Sequence, residues 1–148
     1  MGVYNMAENS VIWGYILIGG GRPSRPAQRK LMKVIGVDMS KYGTLWEDVL
    51  PPRSTRPRTA LEDRESLVMA ALEGDKVHVV NPICLGASGK DVEWFVGALH
   101  EKGATVVIHD GARVFEPGDG LEELSKDVER MLHAYRVRKY RRGKGGAE

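Results

Sequence analysis

Residues 74–103 read GDKVHVVNPICLGASGKDVEWFVGALHEKG, and the stretch spells strand, tight loop and helix in succession. Residues 76–80, KVHVV, are a β-branched run opened by the turn pair Gly74 and Asp75. Asn81 and Pro82 end the strand, because proline has no N–H to give to a ladder. Residues 85–89, LGASG, are the loop. Ser88 is an N-cap candidate, which puts the acidic Asp91 at the third helical position, near the positive end of the helix dipole. Val92, Phe95, Val96 and Leu99 recur at helical spacing, so one face is apolar. Gly103 stands where a C′ glycine ends a helix.

The rest of the chain repeats this alternation. Residues 11–18, VIWGYILI, are an apolar run of strand length and the candidate buried first strand. Gly19, Gly20 and Gly21 break it, residues 22–26 form a Pro-containing loop, and residues 27–35 are a helix closed by Gly36. Residues 44–50 read as a short edge strand and residues 51–59, PPRSTRPRT, as a loop. Residues 60–73 are helical, with Leu61, Leu67, Val68 and Ala71 on the apolar side. Residues 104–109 are a second buried strand, residues 110–120 a loop, and residues 121–140 a long helix. Alternating strand and helix predicts an α/β fold: a mostly parallel sheet of four or five strands, helices on both faces and a long C-terminal helix. Residues 1–11 are expected to form a flexible arm, residues 12–118 the α/β domain, residues 119–140 the helix, and residues 141–148 a disordered basic tail.

A chain of 148 residues with 42% hydrophobic and 28% charged side chains is an ordinary single domain. No apolar run approaches the roughly 20 residues of a membrane span, and MGVYNMAENS lacks the basic and apolar regions of a secretory signal. One cysteine suits a reducing cytosol, so a cytoplasmic location without membrane contact is expected. The net charge of +2 is uneven: residues 136–148 hold six basic side chains against one acid, which leaves the body at −3. An acidic body with the tail RVRKYRRGKGG is the pattern of an arm for nucleic acid or of a solvated end.

The frame of residues 74–103 resembles the catalytic domain of the serine recombinases, the resolvase and invertase family. There the loop reads approximately Lys-Leu-Asp-Arg-Leu-Gly-Arg-Ser. Laid on this chain without a gap, Leu85, Gly86, Ser88 and Asp91 agree. The first strand and helix fit the same frame through Tyr15, Ile18, Gln28, Arg29, Met32, Gly36 and Asp38. The chemistry does not follow. The family's serine nucleophile falls on Gly19, the arginine two residues before it on Leu17, its aspartate on Ile83, and two further arginines on Cys84 and Ala87. A remaining family arginine has four candidates, Arg53, Arg56, Arg58 and Arg64. The resemblance covers approximately residues 12–110 and the start of the last helix, which in the family pairs subunits and lies against the DNA minor groove. It implies a resolvase-like three-layer fold.

Serine recombination needs a hydroxyl to attack the phosphodiester and arginines to stabilise the transition-state charge. With no competent side chain at five positions, the resemblance implies a catalytically inactive domain. Such a domain would pair with itself or with a recombinase-like protein through Val128, Met131, Leu132 and Tyr135. It would touch duplex DNA through Arg136, Arg138, Lys139, Arg141, Arg142 and Lys144. Contacts of that kind are salt-sensitive, and without a reader domain they carry little sequence specificity. Two other readings stay open: a protein-interaction module without a DNA role, and a small-ligand or nucleotide site at Gly19, Gly20, Gly21, Arg22 and Ser24. That loop has neither a Walker lysine nor a full glycine fingerprint. Ser24 and Ser88 are weighed as substitute nucleophiles and read better as structural residues, as does Cys84. His78, His100, His109 and His133 have no metal-ligand spacing, and neither a metal nor a cofactor is expected.

Overall fold

The computed structural model describes residues 10–52 and 56–146, with side chains to Arg142. Five strands form one sheet: β1 (Ile12–Ile18), β2 (Leu45–Val49), β3 (Lys76–Val79), β4 (Thr105–Ile108) and β5 (Arg113–Phe115). Their order is β2-β1-β3-β4-β5, with β5 alone antiparallel. The helices are α1 (Arg25–Ile35), α2 (Pro57–Ala60), α3 (Glu62–Ala70), α4 (Gly89–Glu101) and α5 (Glu122–Gly146), with a 3₁₀ turn at Pro82–Leu85. The expected α/β class, mostly parallel sheet and long last helix are all present.

Strand alternation divides the hydrophobic side chains between two layers. Tyr15 and Leu17 of β1, Val77 and Val79 of β3, and Val106 and Ile108 of β4 enter the main core. There they meet Leu67 of α3, Phe95 and Leu99 of α4, and Leu124, Val128 and Leu132 of α5. Ile16 points the other way, into a smaller cluster with Met32 of α1 and Val37. Helices therefore lie on both faces, but α1 covers only the β1 side of its face. On the part it leaves open Val114 of β5 is 54% exposed, and Ile12 at the first residue of β1 is 42% exposed.

The caps read from sequence are in place. Ser88 Oγ accepts from the Asp91 N–H at 3.2 Å, and Gly103 takes φ +84° after α4. Ser24 Oγ accepts from the Ala27 N–H at the start of α1, and Gly36 closes that helix at φ +99°. Asp75 does more than open β3. Its carboxylate accepts from the Val11 and Leu72 N–H groups and from Trp13 Nε1, all at 2.9 Å, and so pins the lower edge of the sheet.

Several boundaries differ from expectation. The helix expected over residues 60–73 is the shorter α3, which begins after a break at Leu61, whose φ and ψ of −99° and 73° are not helical, and ends at Ala70, before an extended Ala71. Asp48 then receives the Asp63 and Arg64 N–H groups as the N-terminal anchor of α3. The loop expected over residues 51–59 ends in α2, and residues 53–55 lie outside the described residues. The loop over residues 110–120 contains β5, reached through a turn with Ala112 at φ 50°. Helix α5 runs on to Gly146 instead of giving way to a disordered tail at residue 141. Arginine and lysine are good helix formers, and their charge suits a helix C-terminus. Of the flexible arm expected over residues 1–11, residues 1–9 lie outside the described residues, whereas Val11 is tied to the sheet through the Asp75 carboxylate and the Lys76 N–H.

Candidate functional site

In open parallel sheets, loops at the carboxyl ends of the strands build the binding crevice. Here those loops are residues 19–24 after β1, residues 50–52 after β2, and the 3₁₀ turn with residues 86–88 after β3. A cleft of about 420 Å³ lies among them, with Leu50, Pro51, Pro52 and Ala87 on one side and Leu132, Tyr135, Arg136 and Lys139 of α5 on the other. Gly20 and Arg22 complete it.

Arg22 is the keystone of these loops. Its Nε donates to the Ile83 carbonyl at 2.9 Å, Nη1 to the Gly20 carbonyl at 2.8 Å, and Nη2 to the Gly86 carbonyl at 2.6 Å. One guanidinium thus ties the β1 loop to the β3 loop through carbonyls alone. Burial lowers its pKa, Cys84 and Tyr135 oppose that shift, and the nearby Arg136 adds to it. Arg22, Arg136 and Lys139 put three positive charges on a cleft that has no carboxylate in its lining. Such a cleft attracts anions.

Tyr135 closes the glycine loop. A methyl group on Gly20 would lie 2.7 Å from the Tyr135 hydroxyl, and one on Gly21 would lie 2.9 Å from its ring. These two glycines are needed for that approach, and Gly21 also has φ +80°. With the ring against the glycines and Ser24 Oγ engaged as a cap, the loop does not present an open phosphate cradle.

The five positions that the resemblance assigns to catalytic side chains are built into the structure as apolar material. Leu17, Ile83 and Cys84 are buried in the main core. Burial pushes the Cys84 thiol up to about 12, so it is no thiolate at neutral pH. Ala87 lines the cleft without a polar group, and a methyl group on Gly19 would meet Leu50 Cβ at 3.3 Å.

Of the four candidate arginines, Arg64 is fully buried. It grips Asp91 with two prongs, Nη1 to Oδ2 at 2.7 Å and Nη2 to Oδ1 at 2.8 Å, and reaches the Leu85 carbonyl at 3.1 Å. Asp91 also accepts from the Ala87 N–H at 2.8 Å. Beside this pair, Tyr15 donates to Asp48 at 2.8 Å. Burial and then the Asp48 charge raise the Tyr15 pKa far above the usual phenol value. Arg58 and Arg64 both stack on Trp94, at 4.3 and 5.1 Å from the ring centre. Arg56, Arg58 and Lys90 border a second basic hollow there. Arg53 lies outside the described residues. The sequence signal for Arg64 was its position three residues from both Leu61 and Leu67, on the apolar stripe of its helix.

The residues expected to form a dimer surface have intramolecular work. Val128 and Leu132 are buried in the main core and Met131 packs against it; Tyr135 meets the glycine loop. That expectation is corrected for Val128 and Leu132, which point inward because α5 crosses α4 closely: a methyl group on Gly89 would lie 2.5 Å from Ser125 Oγ. Arg136 and Lys139 reach the cleft, whereas Arg138, Arg141 and Arg142 are exposed farther along α5. Lys144 lies in the helix, with its side chain outside the described set.

Sequence reasoning missed one pairing. His78 Nδ1 and His109 Nε2 stand 2.8 Å apart. Among the described residues no three His, Cys, Asp or Glu side chains gather as a metal centre, and no described helix is long and apolar enough to cross a membrane. No family model matches the chain, and no curated protein matches it.

Proposed function

We propose that this chain is a catalytically inactive domain of the resolvase and invertase type, acting as a DNA-associated accessory or regulatory module in site-specific recombination. The observation that carries the reading is the cleft at the carboxyl ends of the strands. It carries Arg136 and Lys139 of α5 beside an Arg22 that is held by loop carbonyls, while the residues at the nucleophile and phosphate-binding positions are glycine, alanine or buried apolar side chains. The site has charge to hold a phosphate backbone and no group to attack it. The α/β architecture with a long basic last helix is what the resemblance implies, and the resolvase-like three-layer fold is part of the proposal.

Phosphate contacts of this kind contribute affinity without sequence reading. The test is binding of purified full-length protein to a short fluorescent duplex across a salt series. Binding that weakens steeply with salt, and weakens further in the Arg136→Gln, Lys139→Gln double variant, supports the reading. No binding at low salt favours the protein-interaction reading. A covalent protein–DNA adduct overturns the inactive assignment.

A further inference from the structure

The second basic hollow, of about 410 Å³, lies between α2 and the first turn of α4. Arg56, Arg58 and Thr59 border it on one side, and Lys90, Asp91 and Trp94 on the other. It shares no lining residue with the cleft. The two are nevertheless neighbours, because Ala87 on the cleft donates its N–H to Asp91 on the hollow at 2.8 Å. The charges of the hollow are unbalanced. Its one carboxylate, Asp91, is gripped by both prongs of the buried Arg64 and so is already neutralised. Arg56, Arg58 and Lys90 are exposed, and none of their side chains has an ion pair or a hydrogen bond among the described residues.

Arg58 is held in place all the same. Its guanidinium lies over the Trp94 ring, 4.3 Å from the ring centre. Stacking fixes the plane of a guanidinium and leaves the N–H groups at its edge to donate. An arginine ordered by an aromatic face, with no carboxylate to satisfy it, is set for a two-pronged oxyanion contact.

We propose that Arg58, stacked on Trp94 and flanked by Arg56 and Lys90, forms a binding site for a phosphate group. Arg58 supplies the two-pronged hydrogen bond, Arg56 and Lys90 supply charge, and Thr59 supplies a hydroxyl donor. A carboxylate has one charge and two oxygens, which Arg58 alone would satisfy. A phosphate group brings more charge and a third acceptor oxygen, which engage the flanking cations as well. The phosphate belongs either to a small molecule or to a nucleic-acid backbone, and the chemistry at Arg58 is the same for both. The site uses no residue of the cleft and stands apart from the inactive-recombinase reading.

The test is titration of ¹⁵N-labelled full-length protein with sodium phosphate at neutral pH and constant ionic strength. The indole N–H resonances of the three tryptophans are followed, that of Trp94 being the one lost in Trp94→Phe. A saturable shift of the Trp94 resonance is expected, with those of Trp13 and Trp46 unmoved. Arg58→Lys keeps the charge but loses the fork, and should weaken binding by about tenfold or more. Lys90→Gln should weaken it by roughly threefold, and the Arg136→Gln, Lys139→Gln double variant should leave it unchanged. Arg58 and Lys90 are exposed, so their variants report on binding and not on folding. A short duplex separates the two sources. A shift of the same resonance by duplex, lost in Arg58→Lys, assigns the site to a nucleic-acid backbone; a shift by phosphate alone assigns it to a small phosphate compound. No saturable shift with either phosphate or duplex, or equal affinity in native protein and Arg58→Lys, would overturn the site and leave Arg58 as a surface stack on Trp94.

Discussion

Arg64 and Asp91 form a two-pronged ion pair directly beneath the loop that leads into α4. The side chain of Arg64 has no solvent exposure and that of Asp91 has 5%. Both ends of the pair are joined to the backbone as well, through the Leu85 carbonyl and the Ala87 N–H. The pair fixes the loop that borders the cleft through these two contacts.

Removing one partner leaves the other charged, buried and unpaired. Asp91→Asn and Arg64→Gln are each expected to cost roughly 3–5 kcal/mol in urea unfolding. The double replacement Arg64→Met, Asp91→Leu should recover part of that loss, because no orphan charge remains. A loss under about 1 kcal/mol for either single variant would show that water reaches the pair.

A second expectation concerns how α5 is held to the β1 loop. Gly20→Ala forces a methyl group against the Tyr135 hydroxyl and should lower stability, while Tyr135→Ala removes the obstacle. In a double-mutant cycle the two should couple by about 0.5–3 kcal/mol, the range for residues in contact. Additive effects would mean that Tyr135 does not sit on the glycines in solution. The same Tyr135→Ala change should increase proteolysis within α5, since it removes the contact of the ring with the glycine loop.

Much of this fold was legible because it rests on local chemistry. Ser88 and Gly103 bound α4 through capping, and Gly36 ends α1 through a left-handed turn, all within a few residues of sequence. β5 escaped because three residues, Arg113 to Phe115, are too few to show a period of two. The break at Leu61 escaped because it depends on Asp48, a residue on a different element, receiving the first N–H groups of α3. The cleft was half legible: its glycine loop and basic residues were visible, but the approach of Tyr135 required the path of α5. The pairing of His78 with His109, 31 residues apart, follows from which strands are neighbours, and no spacing along the chain encodes that.

That pairing has a consequence for pH. Burial first, then the proximity of His109 and Lys76, lowers the His78 pKa to about 4. The unfolded chain has the ordinary value of about 6.5, so between these values the unfolded state binds more protons. Stability should therefore fall as pH drops from 6.5 toward 4, and be unaffected by this group above 6.5. The carboxylates whose pKa is lowered, Asp38 and Asp127, lose their contribution only below that window. Thermal midpoints across pH 4–7.5 should thus show a slope in native protein that is shallower in His78→Gln. An equal slope in the variant would assign the effect elsewhere.

The inactive reading makes its sharpest prediction at Gly19. Its φ is not in the left-handed region, and a Cβ there meets Leu50 Cβ at a close but not prohibitive 3.3 Å. Gly19→Ser should therefore fold with a small loss of stability and place a hydroxyl where the resemblance puts the nucleophile. It should still form no covalent link to DNA. Leu17, Ile83 and Cys84 are held in the main core by packing, so no arginine or aspartate joins the serine from those positions. Arg22, the nearest cation on the loop, is already committed to three carbonyls. A serine without a base or a phosphate clamp lacks both activation and transition-state stabilisation. Denaturing gel electrophoresis after incubation with labelled duplex should show free DNA for Gly19→Ser and native protein alike. An adduct in the variant alone would mean that only the nucleophile had been lost, and that the remaining groups of the cleft still support strand cleavage.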